Sequence, residues 1–364
     1  MKLASTLCWL VDTAAEAAGA DRLLAELGAH LLADGLPLAG GALTLAVPHP
    51  LIARRAWLWR ADSREVIEAL GFAPGAPAAV QESVSPNNAG RRWLTTVAAG
   101  VVHEDAIGPR NDGPLLSWIG PRPFTPSEIN NLRQAARFIA APLAALAARA
   151  TLTAALEAYL GRRSAARVLA APLRRDIGET IQAALLYADL RGFTELSENN
   201  APAMVIASLD AWFDRIAGAA HAFGGEVLKF IGDGVLAIFP VVAGTPRGAC
   251  DAALRAVSAA QVGMAHLDEQ RLRQGLPTLP FGAALHLGEI LWGNIGAADR
   301  LDFTAIGPAV NLVSRLEGLC KSLRKTVLVS GALAAETEMP LIALGTHTLR
   351  GIASPCAVFA LPES

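Results

Sequence analysis

The stretch that most constrains this chain is residues 185–240, which opens as LLYADLRGFTEL and closes as GGEVLKFIGDGVLAIFP. Leu185, Leu186 and Tyr187 read as a buried strand that carries Asp189 to its end, where Gly192, Phe193 and Thr194 can turn backbone N–H groups inward. The segments 227–231 and 235–239 have strand composition, and Gly232-Asp233-Gly234 between them predicts a hairpin turn. An aspartate is favoured at a helix cap or a turn on local grounds alone, so neither carboxylate is informative by itself. Two of them at neighbouring strand ends, beside glycines that admit a polyphosphate to the backbone, are what a site for divalent cations and a nucleotide requires.

A second block, LDFTAIGPAVNLVSRLE at residues 301–317, reads as a short strand, a Gly-Pro turn and a helix on which Asn311 and Arg315 are four apart and leave one face. With the strand, aspartate and Gly-Phe-Thr turn and the Lys-Phe-Ile-Gly-Asp hairpin, this block makes the segment from about Glu179 to Leu361 resemble the catalytic domain of class III nucleotidyl cyclases. The resemblance implies a ferredoxin-like βαββαβ domain working as a homodimer. It implies two Mg²⁺ or Mn²⁺ ions held by Asp189, Asp233 and the backbone carbonyl of Leu190. Phosphate would be cradled at Gly192, Phe193 and Thr194, and Arg350 stands where the family has a lysine for the terminal phosphates. Asn311 would orient the ribose and Arg315 would stabilise the reacting phosphorus. Lys229 and Thr304 match the two residues that read the purine, in the combination of adenylate cyclases, so ATP is the expected substrate. Pro308 and Val313 depart from the family pattern but flank the site. Diguanylate cyclases share a related fold, but Gly224-Gly225-Glu226-Val227 lacks the acidic pair of their hairpin. The alternatives are a cyclase using GTP or a pyrimidine nucleotide, and an inactive cyclase-like regulator.

At 364 residues the chain is long enough for two domains, each with its own core. A net charge of −2 offers no basic footprint for nucleic acid. The longest apolar run, residues 138–148, contains Pro142 and is too short to span a bilayer, so no membrane span is predicted. The four cysteines are widely spaced and suggest neither zinc nor disulfides, which leads to a reduced, cytoplasmic protein.

Residues 1–145 read as an α+β module of sensor size. A helix is expected over 10–36, ended by Gly35, followed by strands at 41–47, 53–60, 97–103 and 115–119 with a turn at 108–114. This order resembles GAF domains, which implies a small-molecule ligand; Trp57 and Trp59 could line its pocket, although strand aromatics belong more often to a core. Thr125, Pro126 and Glu128 mark the start of a helix running to Leu160, with Pro142 as a place to kink it. Residues 146–178 are read as a helical linker, with Leu152, Leu156, Tyr159 and Leu160 as a stripe that would pair across a dimer axis. The catalytic domain is expected over 179–364, and His286 inside its strand is read as structural.

Overall fold

The computed structural model describes residues 4–46, 52–72, 89–108, 113–170, 174, 178–242, 244–297 and 299–362. Two compact units divide the chain, Met1–Leu152 and Thr153–Ser364.

The first unit holds α1 (Ala4–Asp12), α2 (Ala20–Ala33), β1 (Gly40–Ala46), β2 (Ile52–Arg60), β3 (Val66–Phe72), α3 (Ala89–Val97), β4 (His103–Ala106), β5 (Leu115–Ile119) and α4 (Pro126–Phe138). Its antiparallel sheet has the order β3-β2-β1-β5-β4. Strand alternation sends Leu43, Trp59, Leu116 and Trp118 to the face covered by α1, α2 and α4, and Ala42, Leu58 and Ile119 to the face covered by α3. Three expectations need correction. The helix over 10–36 is two helices joined by a 3₁₀ turn at Ala14–Glu16. The break runs from Thr13 to Gly19, with Ala17 extended after the 3₁₀ turn and Gly19 as the extended N-cap of α2. The strand expected at 97–103 is the end of α3 and the approach to β4, because Leu94 and Val97 meet the sheet at helical spacing. The strand β3 was not foreseen, and part of the expected turn at 108–114 lies outside the described residues. Trp59 is buried edge-on against Trp118, with ring centroids 6.1 Å apart, and lies over Gly28, so its ring is core, with an edge on a cavity shared with Ala29, Leu32 and Arg64.

Thr125 caps α4 as expected, in a reciprocal capping box with Glu128. The Arg122 guanidinium and the Thr125 N–H hold the Glu128 carboxyl down to about 2. Helix α5 (Ala140–Leu160) follows after Ile139 alone. Pro142 has no N–H to donate to the carbonyl of Phe138, which explains an interruption one residue later. The combined run Pro126–Leu160 is long and apolar enough to cross a membrane by length and composition, a property missed by counting only its contiguous apolar residues. Its first half buries Leu132, Ala136, Ile139 and Leu143 in the core of this unit.

The second unit holds α6 (Arg162–Ala170), β6 (Gly178–Leu190), α7 (Phe193–Asn199), α8 (Pro202–Ala222), β7 (Glu226–Ile231), β8 (Gly234–Pro240), α9 (Pro246–Arg273), β9 (Phe281–Gly296), β10 (Leu301–Ile306), α10 (Pro308–Glu317), α11 (Cys320–Leu323), β11 (Val327–Ser330), α12 (Gly331–Ala334), β12 (Ile342–His347) and β13 (Cys356–Ala360). The sheet order is β12-β13-β11-β9-β6-β8-β7, with β10 paired to β9. Within it, β6-α8-β7-β8-α9-β9 is the expected βαββαβ unit, with antiparallel neighbours β9-β6-β8-β7. Ala184, Leu186 and Ala188 of β6 pack under α8 and α9. Leu185 and Tyr187 point the other way, toward α10. Helix α6 is fastened to this sheet at its first turn. Gly161 precedes it in a left-handed conformation (φ 81°), and the buried Glu226 Oε1 accepts from Ser164 N at 2.8 Å and Ser164 Oγ at 2.5 Å.

His286 is buried beside Ser330 Oγ at 2.8 Å, and burial pushes its imidazole down to about 4. It is structural, as read. Since the unfolded chain binds the proton near pH 6.5 and the folded chain only near 4, stability is present above pH 6.5 and is lost as pH falls between those values. The expected loss from this group is about 3 kcal/mol by pH 4. Urea unfolding of wild type and His286→Gln across pH 4–7 checks it: the variant should show a shallower slope, and equal slopes would exonerate the histidine.

Candidate active site

Asp189 is two residues beyond Tyr187 on β6 and so shares its face, opposite the helices α8 and α9. Asp233 stands in the two-residue turn between β7 and β8, where Gly232 takes a positive φ of 64° and Ile231 pairs with Gly234. Trp212, fully buried on α8, donates its indole N–H to the Asp233 carbonyl at 2.8 Å, which fixes the turn to the core. Asp233 is the charged neighbour that acts most strongly on Asp189. Burial, then this neighbour, pushes Asp189 up to about 7. Asp189 Oδ1 is buried with no hydrogen-bond partner. Paired carboxylates with an unsatisfied buried oxygen fit a cation. Among the described residues no three His, Cys, Asp or Glu side chains converge on one point. A pair leaves coordination positions free for phosphate oxygens, as Mg²⁺ prefers. Leu190, whose carbonyl is the third expected ligand, is the last residue of β6.

Three neighbours of this pair were not read from the sequence. The Tyr187 phenol is raised to about 12 by burial and by the charges of Asp189, Glu317 and Asp233. Glu317, at the end of α10, is raised by burial, opposed by Arg191 and reinforced by Asp233. Arg191 donates to the Lys325 carbonyl at 2.8 Å. Glu317 was in plain view as the last residue of the block 301–317, but nothing local points it at β6.

Lys229 lies on β7 opposite Leu236 and forms an ion pair with Asp302 of β10. The register shift between Val227 and Lys229 inserts Leu228 as a bulge, so Lys229 joins the face of Leu236 and Tyr187. Without that bulge, alternation would turn Lys229 toward α8. Asp302 and Thr304 are two apart on β10 and share a face, with Thr304 buried. Asp302 is the residue sequence reading passed over, and its charge opposite Lys229 was the available signal.

Asn311 and Arg315 are both exposed on α10, as their spacing required. Among the described residues neither has a partner, and no described contact joins them to Asp189 or Asp233. Gly192 has φ 74° and precedes α7, whose first N–H groups receive no side-chain cap, so Phe193 and Thr194 present free backbone donors. Arg350 is exposed in the turn after β12.

Comparison with known proteins meets this geometry at the family level. Residues 177–350 match the adenylate and guanylate cyclase catalytic domain. The chain is 32% identical over 168 residues to "Adenylate cyclase 1" of Rhizobium meliloti (strain 1021), spanning 46% of this chain and 25% of that protein. It is 31% identical over 160 residues to "Adenylate cyclase" of Anabaena cylindrica, spanning 43% and 31% respectively. The chain therefore spans a quarter to a third of the length of these curated relatives. A bacterial light-regulated adenylyl cyclase shares the fold, with TM-score 0.51 and 20% identity over 71% of this chain and 85% of that one. The chain shares the mixed α+β fold of that solved structure.

Proposed function

We propose that the cyclase domain converts ATP to 3′,5′-cyclic AMP and pyrophosphate, at two sites shared between the subunits of a homodimer and regulated by the N-terminal unit as a GAF-like, ligand-sensing module. The observation that carries the reaction class is the Asp189–Asp233 pair with its unsatisfied buried oxygen. In such a site the ribose 3′-oxygen attacks the α-phosphorus and pyrophosphate departs in line. Two divalent cations, Mg²⁺ or Mn²⁺, would supply charge neutralisation and a more acidic 3′-hydroxyl when bound to Asp189, Asp233 and the Leu190 carbonyl. Phe193 and Thr194 N–H groups after Gly192 hold phosphate oxygens, and Arg350 binds the terminal phosphates. Asn311 aligns the sugar, so the reacting atoms are positioned at binding. Arg315 places its charge where the pentavalent phosphorus develops its own.

For the base, Lys229 donates to adenine N1 while the Thr304 hydroxyl accepts from the 6-amino group, and Asp302 holds the Lys229 ammonium in place. The relatives named as adenylate cyclases favour ATP over GTP as the substrate. The test is cyclic nucleotide formation from ATP, GTP, CTP and UTP with Mn²⁺: cyclic AMP should dominate, and a blank with all four would leave a cyclase-like regulator. Guanine inverts the donor and acceptor at its 6-position and N1, so Lys229→Glu with Thr304→Cys should raise GTP use relative to ATP by about tenfold or more. Asp302→Asn belongs in the same variant, because Asp302 would otherwise face a second carboxylate. An unchanged ATP/GTP ratio would show that these residues do not read the base.

A further inference from the structure

Helix α10 has two working faces. Asn311 and Arg315 are exposed on one, while Ala309, Val313 and Leu316 are buried. Glu317 is two residues beyond Arg315, about 200° round the helix, and points inward. Its carboxylate lies on the backbone of Gly282: a Cβ there would come within 2.3 Å of Glu317 Oε1. Gly282 is the register partner of Asp189 across β9 and β6, so Glu317 stands beside Asp189 on the same face of the sheet, over the neighbouring strand. Arg191, the second residue after Asp189, is anchored by its guanidinium on the Lys325 carbonyl and by its N–H on the Pro280 carbonyl, and its charge acts on Glu317. Glu317 and Arg191 are thus opposite charges flanking Asp189, one across the neighbouring strand and one two residues along the chain. With no convergent third ligand among the described residues, Glu317 faces the pair from outside the coordination sphere.

We infer that Glu317 and Arg191 are positioning residues that set the cation affinity of the Asp189–Asp233 pair with opposite sign, Glu317 by adding negative potential and Arg191 by cancelling it. This rests on the reading of that pair as a cation site. Removing the Glu317 charge while keeping its shape weakens attraction for a divalent ion. Removing the Arg191 charge leaves Glu317 unopposed and strengthens it. A merely structural pair would shift both variants the same way, through looser packing.

The experiment is direct titration of the full chain, without nucleotide, with Mn²⁺ followed by the electron paramagnetic resonance of the free ion, at one pH and ionic strength. Glu317→Gln should bind Mn²⁺ about fivefold more weakly and Arg191→Gln about threefold more tightly than wild type. Circular dichroism and the melting temperature without metal identify a variant that fails to fold, and Gly282→Ala, which displaces the Glu317 carboxylate with its charge intact, then serves as a second route to the weaker-binding result. Equal Mn²⁺ affinity in folded Glu317→Gln and wild type, or weakening in both charge variants, overturns the inference while leaving the active site standing. Failure of wild type itself to bind Mn²⁺ at Asp189 and Asp233 overturns the underlying site as well.

Discussion

Asp189→Ala and Arg315→Ala, each inactive alone, are expected to restore about a quarter of wild-type cyclase activity when their subunits are allowed to exchange, because of two-fold symmetry. Asp189 and Asp233 are joined within the chain, whereas Asn311 and Arg315 are exposed on α10 with no described contact to them. If a partner completes each site, a mixed dimer contains one site with both lesions and one with neither. Random exchange makes about half the dimers mixed, each with one working site of two. Co-expression with two different tags and purification through both isolates the mixed dimer, whose activity should be about half that of wild type. An inactive doubly tagged dimer would mean that each site is complete within one chain.

Asp233→Ala is expected to reduce turnover by about a thousandfold or more, the scale of losing several kcal/mol of metal-assisted stabilisation. The same substitution should make the metal-free protein more stable at pH 8. Asp189 is held up to about 7 by burial and by Asp233, so ionising both in the folded state is costly above that value. The unfolded chain loses this proton near pH 3.8 and the folded chain near 7, so stability falls as pH rises through that window. Allowing for solvent screening, relief of the repulsion is worth about 1–2 kcal/mol. Thermal melts with and without Mn²⁺ check both halves: the variant should melt higher without metal and gain nothing from it. Residual activity within tenfold of wild type, or a lower metal-free melting temperature, would contradict a carboxylate pair kept for function at the expense of stability.

The catalytic half was legible because its signals are local. Strand composition, the Gly-Asp-Gly turn and the four-residue spacing of Asn311 and Arg315 each act within a few residues, and all appear where expected. What stayed hidden depends on partners distant in sequence. The bulge at Leu228 has no composition of its own; it exists because β7 and β8 differ by one residue in length across the pair. Glu317 faces Asp189 only because β9 carries a glycine at 282. In the N-terminal unit, Leu94 and Val97 are as compatible with a strand as with a helix until the sheet they cover is known. The single long helix expected over 10–36 stops at Asp12 and restarts at Ala20, with Ala17 and Gly19 extended between the two.

The fastening of α6 has a practical consequence for anyone grafting a different N-terminal module onto the second unit. Glu226 is the first residue of β7, the strand that carries Lys229, and its buried carboxylate is spoken for by Ser164. Gly161 is confined to glycine twice over, by its left-handed backbone and by the Glu226 side chain 3.2 Å from where a Cβ would stand. A chimera spliced downstream of Ser164 would strand a carboxylate in the domain interior and expose it as a folding defect, whatever the incoming module does. The transferable cassette therefore begins upstream of Gly161, within the last turns of α5, and residues 161–164 travel with the second unit.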